Sequence, residues 1–394
     1  MPEQSTDTPL PLQDLVITGF RGIRDLSVGR LGRVTLLAGK NGVGKSTVLE
    51  AVRVFAARGR DPVLAEVLQG RDEVVVPDDD DGRMTMPDFT ALFYGRDQGR
   101  SSFSLGPTDP SLRVRVEEAD LPDEQGSLFE KLVPDSALDG PIRGLRSVFR
   151  GVQRFFPVVT SGSEGDTGVR YSWATPHTAR ILRRALDEGK YPGAISCLSL
   201  GPGVLPNDEI ARYWDAIALT PHETAAVNAL RLVMGERVQD VTVVGDAGRL
   251  RSSTRRPTGL RPSRKAIVRL QGSSHPVPLK SLGDGAVRLF GVALALANSQ
   301  DGLLVIDEVE NGIHYKLQAD FWRMVLAAAQ ANRVQVLATT HSFDCIRGFA
   351  EASAEVADSA SALVRVVRRD GETWAVEYSE KDLRIAAKQA IEVR

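Results

Sequence analysis

Apolar and polar positions along the chain follow two different periods, one typical of strands and one typical of helices. Residues 12–19 have the pattern of a strand, and a second strand within residues 28–38 ends in five mostly apolar positions, 34–38. From Lys45 to about Ala57 the apolar residues Val48, Leu49, Val52 and Phe55 recur at helical spacing. The beginning of the chain is therefore predicted to run strand, glycine-rich turn, helix.

The same alternation of strands and helices returns after residue 265. Because strands that alternate with helices pair in parallel and are covered on both faces, this pattern predicts an α/β fold with a mostly parallel central sheet. The predicted strands are 266–270, 303–306, 334–338, 362–367 and 374–378, and the predicted helices are 284–297, 316–331, 342–350 and one starting near residue 380.

Residues 101–265 have a different character. Short β-like runs at 112–116, 155–160, 194–200 and 238–244 are separated by connections rich in Gly, Pro and Ser. Two helices are predicted, at about 207–218 and 222–234. No repeat and no sustained heptad pattern occurs. We therefore expect an inserted α+β lobe and not a coiled coil.

The glycine-rich turn has the sequence of a phosphate-binding loop. Residues 39–46 fit the pattern G-x-x-x-x-G-K-[ST], in which glycines let backbone N–H groups point towards phosphates. Lys45 would neutralise the β- and γ-phosphates, and Ser46 would offer its hydroxyl to Mg²⁺. The loop predicts a site for a nucleoside triphosphate, ATP with Mg²⁺, lined by Gly39, Lys40, Asn41, Gly42, Val43, Gly44, Lys45, Ser46 and Thr47.

Two adjacent carboxylates follow the apolar strand 303–306. Asp307 and Glu308 would stand at the carboxyl edge of the sheet, where open α/β sheets bind ligands. We expect Asp307 to hold Mg²⁺ and Glu308 to position or deprotonate the attacking water. Alone this pattern is a weak indication of a nucleotide-hydrolysing site, but it becomes a strong one when it follows a phosphate loop in the sequence.

Two further segments have candidate chemistry. Residues 281–285, Ser-Leu-Gly-Asp-Gly, read alone as an ordinary helix start. Residues 339–342, Thr-Thr-His-Ser, follow a predicted strand, so His341 would lie at the same sheet edge as the carboxylates. A lone histidine is usually structural, but this location favours a contact with the γ-phosphate.

The order of these motifs resembles that of the ABC-type ATPases, and within them the SMC/RecF/OLD-like group. The start of the chain, Ile17-Thr18-Gly19-Phe20-Arg21-Gly22-Ile23, is similar to the first strand of that group. Residues 278–285, 306–314 and 338–342 are similar to the short bacterial OLD-like AAA-family ATPases. The resemblance covers about 1–105 and 265–394. It implies an N-terminal ATPase part at 1–105, an inserted lobe at 106–265 and a C-terminal ATPase part at 266–394.

In such enzymes two protomers enclose two ATP molecules, so the resemblance implies a homodimer. Ser281, Gly283 and Gly285 would contact the γ-phosphate held by Lys45 of the other protomer. His341 would sense that phosphate, the segment 310–314 would lie along the dimer interface, and Arg21 would reach a phosphate or the base. The implied function is an ATP-gated switch in DNA repair or anti-phage defence.

The sequence departs from the related families at several points. Residues 281–285 differ from the Leu-Ser-Gly-Gly-Gln of transporter ATPases, which argues against a transporter subunit, and Gln98 lacks the context of a Q-loop. The segment after His341 is too short for the TOPRIM nuclease domain of OLD proteins, so any effector, TOPRIM-like or other, is expected to be a separate partner. No Asn-Lys-x-Asp motif supports a GTPase.

Composition narrows the remaining alternatives. The 394 residues are 42% hydrophobic with a net charge of −2, which predicts a globular protein with no global attraction to nucleic acid or lipid. No 18-residue apolar run, signal peptide or spaced cysteine set occurs, so a cytoplasmic protein with two reduced thiols, Cys197 and Cys345, is expected.

Two charged segments leave alternatives open. The run 78–81 of four aspartates is interpreted as a surface loop, because adjacent carboxylates repel one another. A basic cluster in residues 249–265 is either a solvated loop, the reading we favour, or a contact for nucleic-acid phosphates, which would make the protein a DNA-binding clamp. Its members are Arg249, Arg251, Arg255, Arg256, Arg261, Arg264 and Lys265.

Overall fold

A mostly parallel sheet forms the centre of the molecule. The structure is a computed structural model that describes residues 9–75, 86–96, 102–120, 143–157, 193–245, 264–355, 361–378 and 382. The central sheet has the order β10-β14-β15-β3-β16-β17, in which β17 is antiparallel to β16 and all other neighbours are parallel. Its strands are β3 (Val34–Ala38), β10 (Cys197–Leu200), β14 (Leu303–Ile306), β15 (Gln335–Thr340), β16 (Ser361–Arg369) and β17 (Glu372–Tyr378).

A second sheet is antiparallel and has the order β2-β1-β6-β7-β8-β9. Its first hairpin turns at Arg21, whose φ of 53° lies in the left-handed region. Phe20 and Ile23 pair with each other across this turn. Its strands are β1 (Leu15–Phe20), β2 (Ile23–Val28), β6 (Ser102–Gly106), β7 (Val114–Asp120), β8 (Arg143–Phe149) and β9 (Val152–Pro157).

Helices cover the sheets, and short strand pairs complete the described structure. The helices are α1 (Lys45–Ala56), α2 (Asp61–Gln69), α3 (Asn207–Ile217), α4 (Pro221–Met234), α5 (Asp284–Asn298), α6 (Gln318–Ala331) and α7 (Phe343–Glu355). The remaining strands are β4 (Val74–Val75), β5 (Met86–Pro87), β11 (Val238–Gly245), β12 (Arg264–Leu270) and β13 (Val277–Pro278). No helix in the described ranges is both long and apolar enough to cross a membrane.

The central sheet separates two hydrophobic cores. Successive side chains of a strand point to opposite faces, so Leu36 packs into one core while Leu37 packs into the other. One core gathers α5, α6 and α7, and the opposite core gathers α1 and the antiparallel sheet. Burial on both faces explains why β3 and β14 read as continuous apolar runs. The prediction of an α/β fold with a mostly parallel central sheet is confirmed.

The described residues between 106 and 265 lie in three different places. Strands β7, β8 and β9 extend the antiparallel sheet, and β10 is an edge strand of the central sheet beside β14. Helices α3 and α4 join β11 and β12 against α5 on one face of the central sheet. The inserted segment thus contributes to both sheets, and its strands share their cores with the flanking segments.

Candidate functional site

The loop between β3 and α1 has a backbone that requires glycine at defined points. Gly42 and Gly44 have φ values of 77° and 104°, a region that residues with a Cβ rarely adopt. At Gly39 the restriction is one of space, because a Cβ there would lie 2.4 Å from the carbonyl oxygen of Val366. The loop therefore folds tightly beneath β16, and Gly44 leads directly into the N-terminus of α1.

Lys45 is buried within this loop. Its Nζ donates hydrogen bonds to the carbonyl oxygens of Gly39 at 2.7 Å and Lys40 at 2.8 Å, and the residue is only 8% exposed. Burial lowers the pKa of the Lys45 ammonium, and the nearby Asp307 carboxylate gives the largest opposing contribution. The loop thus holds a desolvated cation at the N-terminus of a helix, an arrangement suited to an anionic ligand.

Asp307 and Glu308 follow β14 and are held from the neighbouring strand β15. The Thr339 hydroxyl donates to Asp307 Oδ1 at 2.5 Å and accepts from the backbone N–H of Glu308 at 2.8 Å. Glu308 has a φ of 45°, and its Oε2 accepts a hydrogen bond from Asn311 Nδ2 at 2.8 Å. Both carboxylates are therefore oriented by neighbouring side chains.

Arg288 supports the same turn and was not identified from the sequence. It lies on α5, is 4% exposed, and donates to the carbonyl oxygens of Asp307 at 2.7 Å and Glu308 at 3.1 Å. It also donates to the carbonyls of Gly201 at 2.5 Å and Gly203 at 2.8 Å. Burial lowers its pKa. A single arginine in the otherwise apolar helix 284–297 was the sequence signal that could have identified it.

His341 lies at the end of β15, as predicted, and contacts two carboxylates. Its Nδ1 is 3.3 Å from Glu310 Oε1 and 3.9 Å from Glu308 Oε1. Its backbone N–H donates to the same Glu310 Oε1 at 2.9 Å. The sequence singled out His341 and Glu308 at one sheet edge, and the structure brings them together there with Glu310 between α5 and β15.

An open pocket of 730 Å³ joins the phosphate loop to the carboxylates. It contains most of the predicted nucleotide-binding residues, whereas Gly39 and Lys40 contribute the carbonyls that hold Lys45. Ser281, Gly283, Gly285 and His341 do not line it. The lining includes Arg21, Asn41, Gly42, Val43, Gly44, Lys45, Ser46, Thr47, Asp307 and Glu308.

Arg21 belongs to an ion-pair network in the lining of the same pocket. Its Nη2 contacts Glu73 at 2.5 Å and its Nε lies 3.3 Å from Glu50. Arg71 and Arg96 pair with the same two carboxylates. Burial raises the pKa of the Glu50 carboxyl, and Arg21 opposes that shift. The buried Nη1 of Arg21 has no hydrogen-bond partner among the described residues.

Ser281 and Gly283 are exposed at the start of α5. Gly285 packs so closely on residue 312 that a Cβ on it would lie 2.4 Å from the Gly312 carbonyl oxygen. Gly312 itself has a φ of 77°. The segments 281–285 and 310–314 are therefore in contact with each other, away from the pocket of their own chain.

Other charged candidates fall mainly outside the described residues. Gln98, the aspartates 78–81 and the basic residues 249–261 lie there. Within the described part of the basic cluster, Arg264 forms a bidentate ion pair with Asp215, in which Nη1 lies 2.5 Å from Oδ2 and Nη2 lies 2.8 Å from Oδ1. Cys197 and Cys345 are unpaired thiols, and burial raises the pKa of Cys197 to about 12 and that of Cys345 further.

The fold and the phosphate loop define a P-loop NTPase. Residues 237–344 match a family model described as AAA domain, putative AbiEii toxin, Type IV TA system. A stretch of 44 residues is 43% identical to the uncharacterized protein MJECL10 of Methanocaldococcus jannaschii, and covers 11% of this chain and 20% of that protein. The chain thus aligns with about a fifth of the length of this curated relative.

Three solved structures with a similar fold are head domains of SMC proteins. The Smc head bound to the C-winged helix domain of ScpA has a TM-score of 0.49 at 12% identity, over 95% of this chain and 100% of that chain. The SMC head domain from Thermotoga maritima has a TM-score of 0.41 at 16% identity, over 93% and 99%. The Smc head with an extended coiled coil, bound to the C-terminal domain of ScpA derived from Pyrococcus furiosus, has a TM-score of 0.44 at 11% identity, over 96% and 99%.

Proposed function

We propose that this protein is an ATP-hydrolysing switch whose active sites are completed by dimerisation. The observation that carries the proposal is the division of the motifs. Lys45, Asp307 and Glu308 meet at one pocket, whereas the exposed segment 281–285 lies outside it. A second protomer could place its segment 281–285 over the open side of this pocket, where Ser281, Gly283 and Gly285 would donate to the γ-phosphate.

Each residue of the pocket has a role in this proposal. Lys45 and the backbone N–H groups of the loop bind the β- and γ-phosphates. Glu308, held by Asn311, positions or deprotonates the attacking water, and His341 contacts the γ-phosphate. Arg21, which lines the pocket, contacts a phosphate or the base. Together these groups would neutralise the charge of a triphosphate.

The residues also fit a magnesium ion bound together with the nucleotide. Mg²⁺ is commonly held by one or two carboxylates, a hydroxyl and substrate phosphates. Ser46 and Asp307 supply these donors, and both line the same pocket. When bound, the ion supplies charge neutralisation at the phosphate oxygens.

Glu308→Gln tests the switch most directly. Because the amide keeps the shape of the side chain but cannot accept a proton, the variant should bind ATP while hydrolysis falls by about 100-fold or more. With ATP and Mg²⁺ it should elute as a dimer in size-exclusion chromatography with light scattering. The matched control is Glu308→Gln combined with Lys45→Ala, which should remain monomeric. A monomer at saturating ATP, with binding verified, would contradict the dimer model.

We further propose that the switch acts in anti-phage defence or DNA repair together with a separate effector. The support is the description of the matched family, putative AbiEii toxin of a type IV TA system. A copurifying product of a neighbouring gene would support a defence pair. ATPase rates with and without DNA would test the DNA-clamp alternative, which predicts stimulation that is lost as salt is raised.

A further inference from the structure

Glu310 lies two residues after the pair Asp307–Glu308 and has an unusual environment for a carboxylate. It is only 9% exposed, and a single oxygen, Oε1, accepts from the backbone N–H of His341 at 2.9 Å and lies 3.3 Å from Nδ1 of the same residue. Its other oxygen, Oε2, is buried and has no hydrogen-bond partner in the described part of the chain. Both contacts of this buried carboxylate are therefore made to one residue, His341.

The chemistry of the two groups assigns the proton between them. An ionised carboxylate is negatively charged and only accepts hydrogen bonds, so at 3.3 Å it favours a proton on the imidazole nitrogen that faces it. The Glu308 oxygen at 3.9 Å from Nδ1 is too distant to form a hydrogen bond. Glu310 therefore selects the ring state in which Nδ1 has the proton. In the neutral ring this leaves the Nε2 lone pair free.

The hydrogen bond from the backbone N–H of His341 fixes the position of Glu310 Oε1. Because Oε1 is held by the main chain of His341, it cannot follow the ring if the ring turns. The ring is 42% exposed and has no comparable contact on its Nε2 side among the described residues. Its orientation consequently depends on the 3.3 Å contact between Nδ1 and Glu310 Oε1, in the way that carboxylates orient histidines at metal sites.

We propose that Glu310 is a positioning residue that fixes the ring orientation and the Nδ1 proton of His341, so that Nε2 faces away from Glu310 and, in the protonated ring, donates to the nucleotide. The last clause rests on the proposed function, in which His341 contacts the γ-phosphate. The assignment of the Nδ1 proton does not, because it follows from contacts within a single chain.

Nitrogen-15 NMR of the imidazole rings tests the assignment in the full-length protein without nucleotide. The chain has five histidines, and the His341 signals are assigned from their absence in His341→Gln. At pH 8.5, well above the ordinary histidine pKa of about 6.5, we expect a protonated Nδ1 on His341. In Glu310→Ala the proton should move to Nε2, the form favoured by a histidine in water. An unprotonated Nδ1 in the wild type would overturn the proposal.

The wild-type spectrum decides the question even if Glu310→Ala does not fold. Where the variant does fold, His222, which contacts Gln300, provides an internal reference because its signals should not change. A His341 spectrum that is the same in Glu310→Ala as in the wild type would also refute the role of Glu310.

Steady-state kinetics distinguish positioning from a purely structural role. Glu310→Ala should lower kcat for ATP by about tenfold or more while KM changes by less than about twofold, because Lys45 still binds the phosphates. Glu310→Gln retains an acceptor oxygen, so it should keep the Nδ1 proton and recover part of kcat. Equal losses in both variants, or a change in KM alone, would contradict the proposal. If no ATPase activity is found but Nδ1 is protonated, the proposed function fails and the assignment of Glu310 stands.

Discussion

Replacement of Arg288 by methionine is the sharpest test of how the turn that contains Asp307 and Glu308 is supported. Methionine retains much of the apolar stem of arginine and removes the guanidinium. That group donates four hydrogen bonds to carbonyl oxygens, between 2.5 and 3.1 Å. Hydrogen bonds to a charged group contribute about 1.5–3 kcal/mol each. The net loss is much smaller than their sum, because methionine avoids the several kcal/mol that it costs to bury a charge.

The four carbonyls are not equally costly to leave without a donor. Gly201 and Gly203 are exposed, so water can replace the guanidinium there, whereas Asp307 and Glu308 are partly buried behind α5. A buried acceptor without a partner costs about 1–3 kcal/mol. The Asp307 carbonyl would lose its donor, whereas the Glu308 carbonyl still accepts from the backbone N–H of Asn311 at 3.1 Å. Arg288→Met should therefore lower the free energy of unfolding by about 1–3 kcal/mol. Arg288→Lys, which keeps the charge but offers fewer donors, should lie between the wild type and Arg288→Met.

Urea unfolding followed by tryptophan fluorescence measures this change as a shift of the midpoint at constant slope. The matched control is Arg347→Met on α7, whose exposed arginine pairs with Asp344 at 3.2 Å within one helical turn. Such a surface pair contributes less than about 1 kcal/mol. If Arg288→Met loses no more stability than Arg347→Met, the reasoning about the buried carbonyls is refuted.

Three further predictions concern the phosphate loop and two close glycine contacts. Lys45→Ala should abolish ATP binding measured by calorimetry while the melting temperature without nucleotide falls by only a few degrees, and retained micromolar binding would rule out the assigned role. Gly285→Ala improves helix propensity by about 1 kcal/mol, but its Cβ would lie 2.4 Å from Gly312 O. Since overpacking costs about 1–3 kcal/mol, it should weaken ATP-dependent dimerisation in light scattering, whereas Gly245→Ala, which meets no atom within 4 Å, should not. Gly348→Ala on α7 would bring a Cβ to 2.7 Å from the Cβ of Gln318 on α6. We therefore expect a lower urea midpoint of unfolding and an unchanged nucleotide affinity. An unaltered midpoint would show that the two helices can move apart without loss of stability.

Local periodicity predicted most elements of the ATPase part because their apolar faces pack on the central sheet. Strand 303–306 and helix 284–297 were predicted within one residue of β14 and α5. Pairing between strands that are far apart in the sequence was harder to predict. Nothing in the run 194–200 indicates that β10 pairs with β14 about a hundred residues later, since a half-buried edge strand has the same local pattern as other short β-like runs.

The candidate site shows the same division between local and distant information. The phosphate loop, Asp307 and Glu308 are recognisable because the chemistry requires particular residue types at fixed spacing. The residues that support them have no such spacing. Thr339, on the neighbouring strand, bonds the Asp307 carboxylate and the Glu308 backbone N–H, and Arg288 bonds the backbone carbonyls of both residues from a helix. Whether the predicted roles of these residues in ATP hydrolysis are correct stays a matter for the experiments above.

The contacts of α5 link the two halves of the divided site within one chain. The helix begins at the segment 281–285, and one turn later Arg288 holds the carbonyls of Asp307 and Glu308. Gly285 also contacts Gly312, in the segment that follows Glu310. Because a packed interior transmits displacement, a movement of residues 281–285 that shifts α5 must also shift the turn that holds Glu308. A protomer that bound its partner's nucleotide through residues 281–285 would therefore alter the geometry of its own catalytic carboxylate, which would couple the two active sites of a dimer.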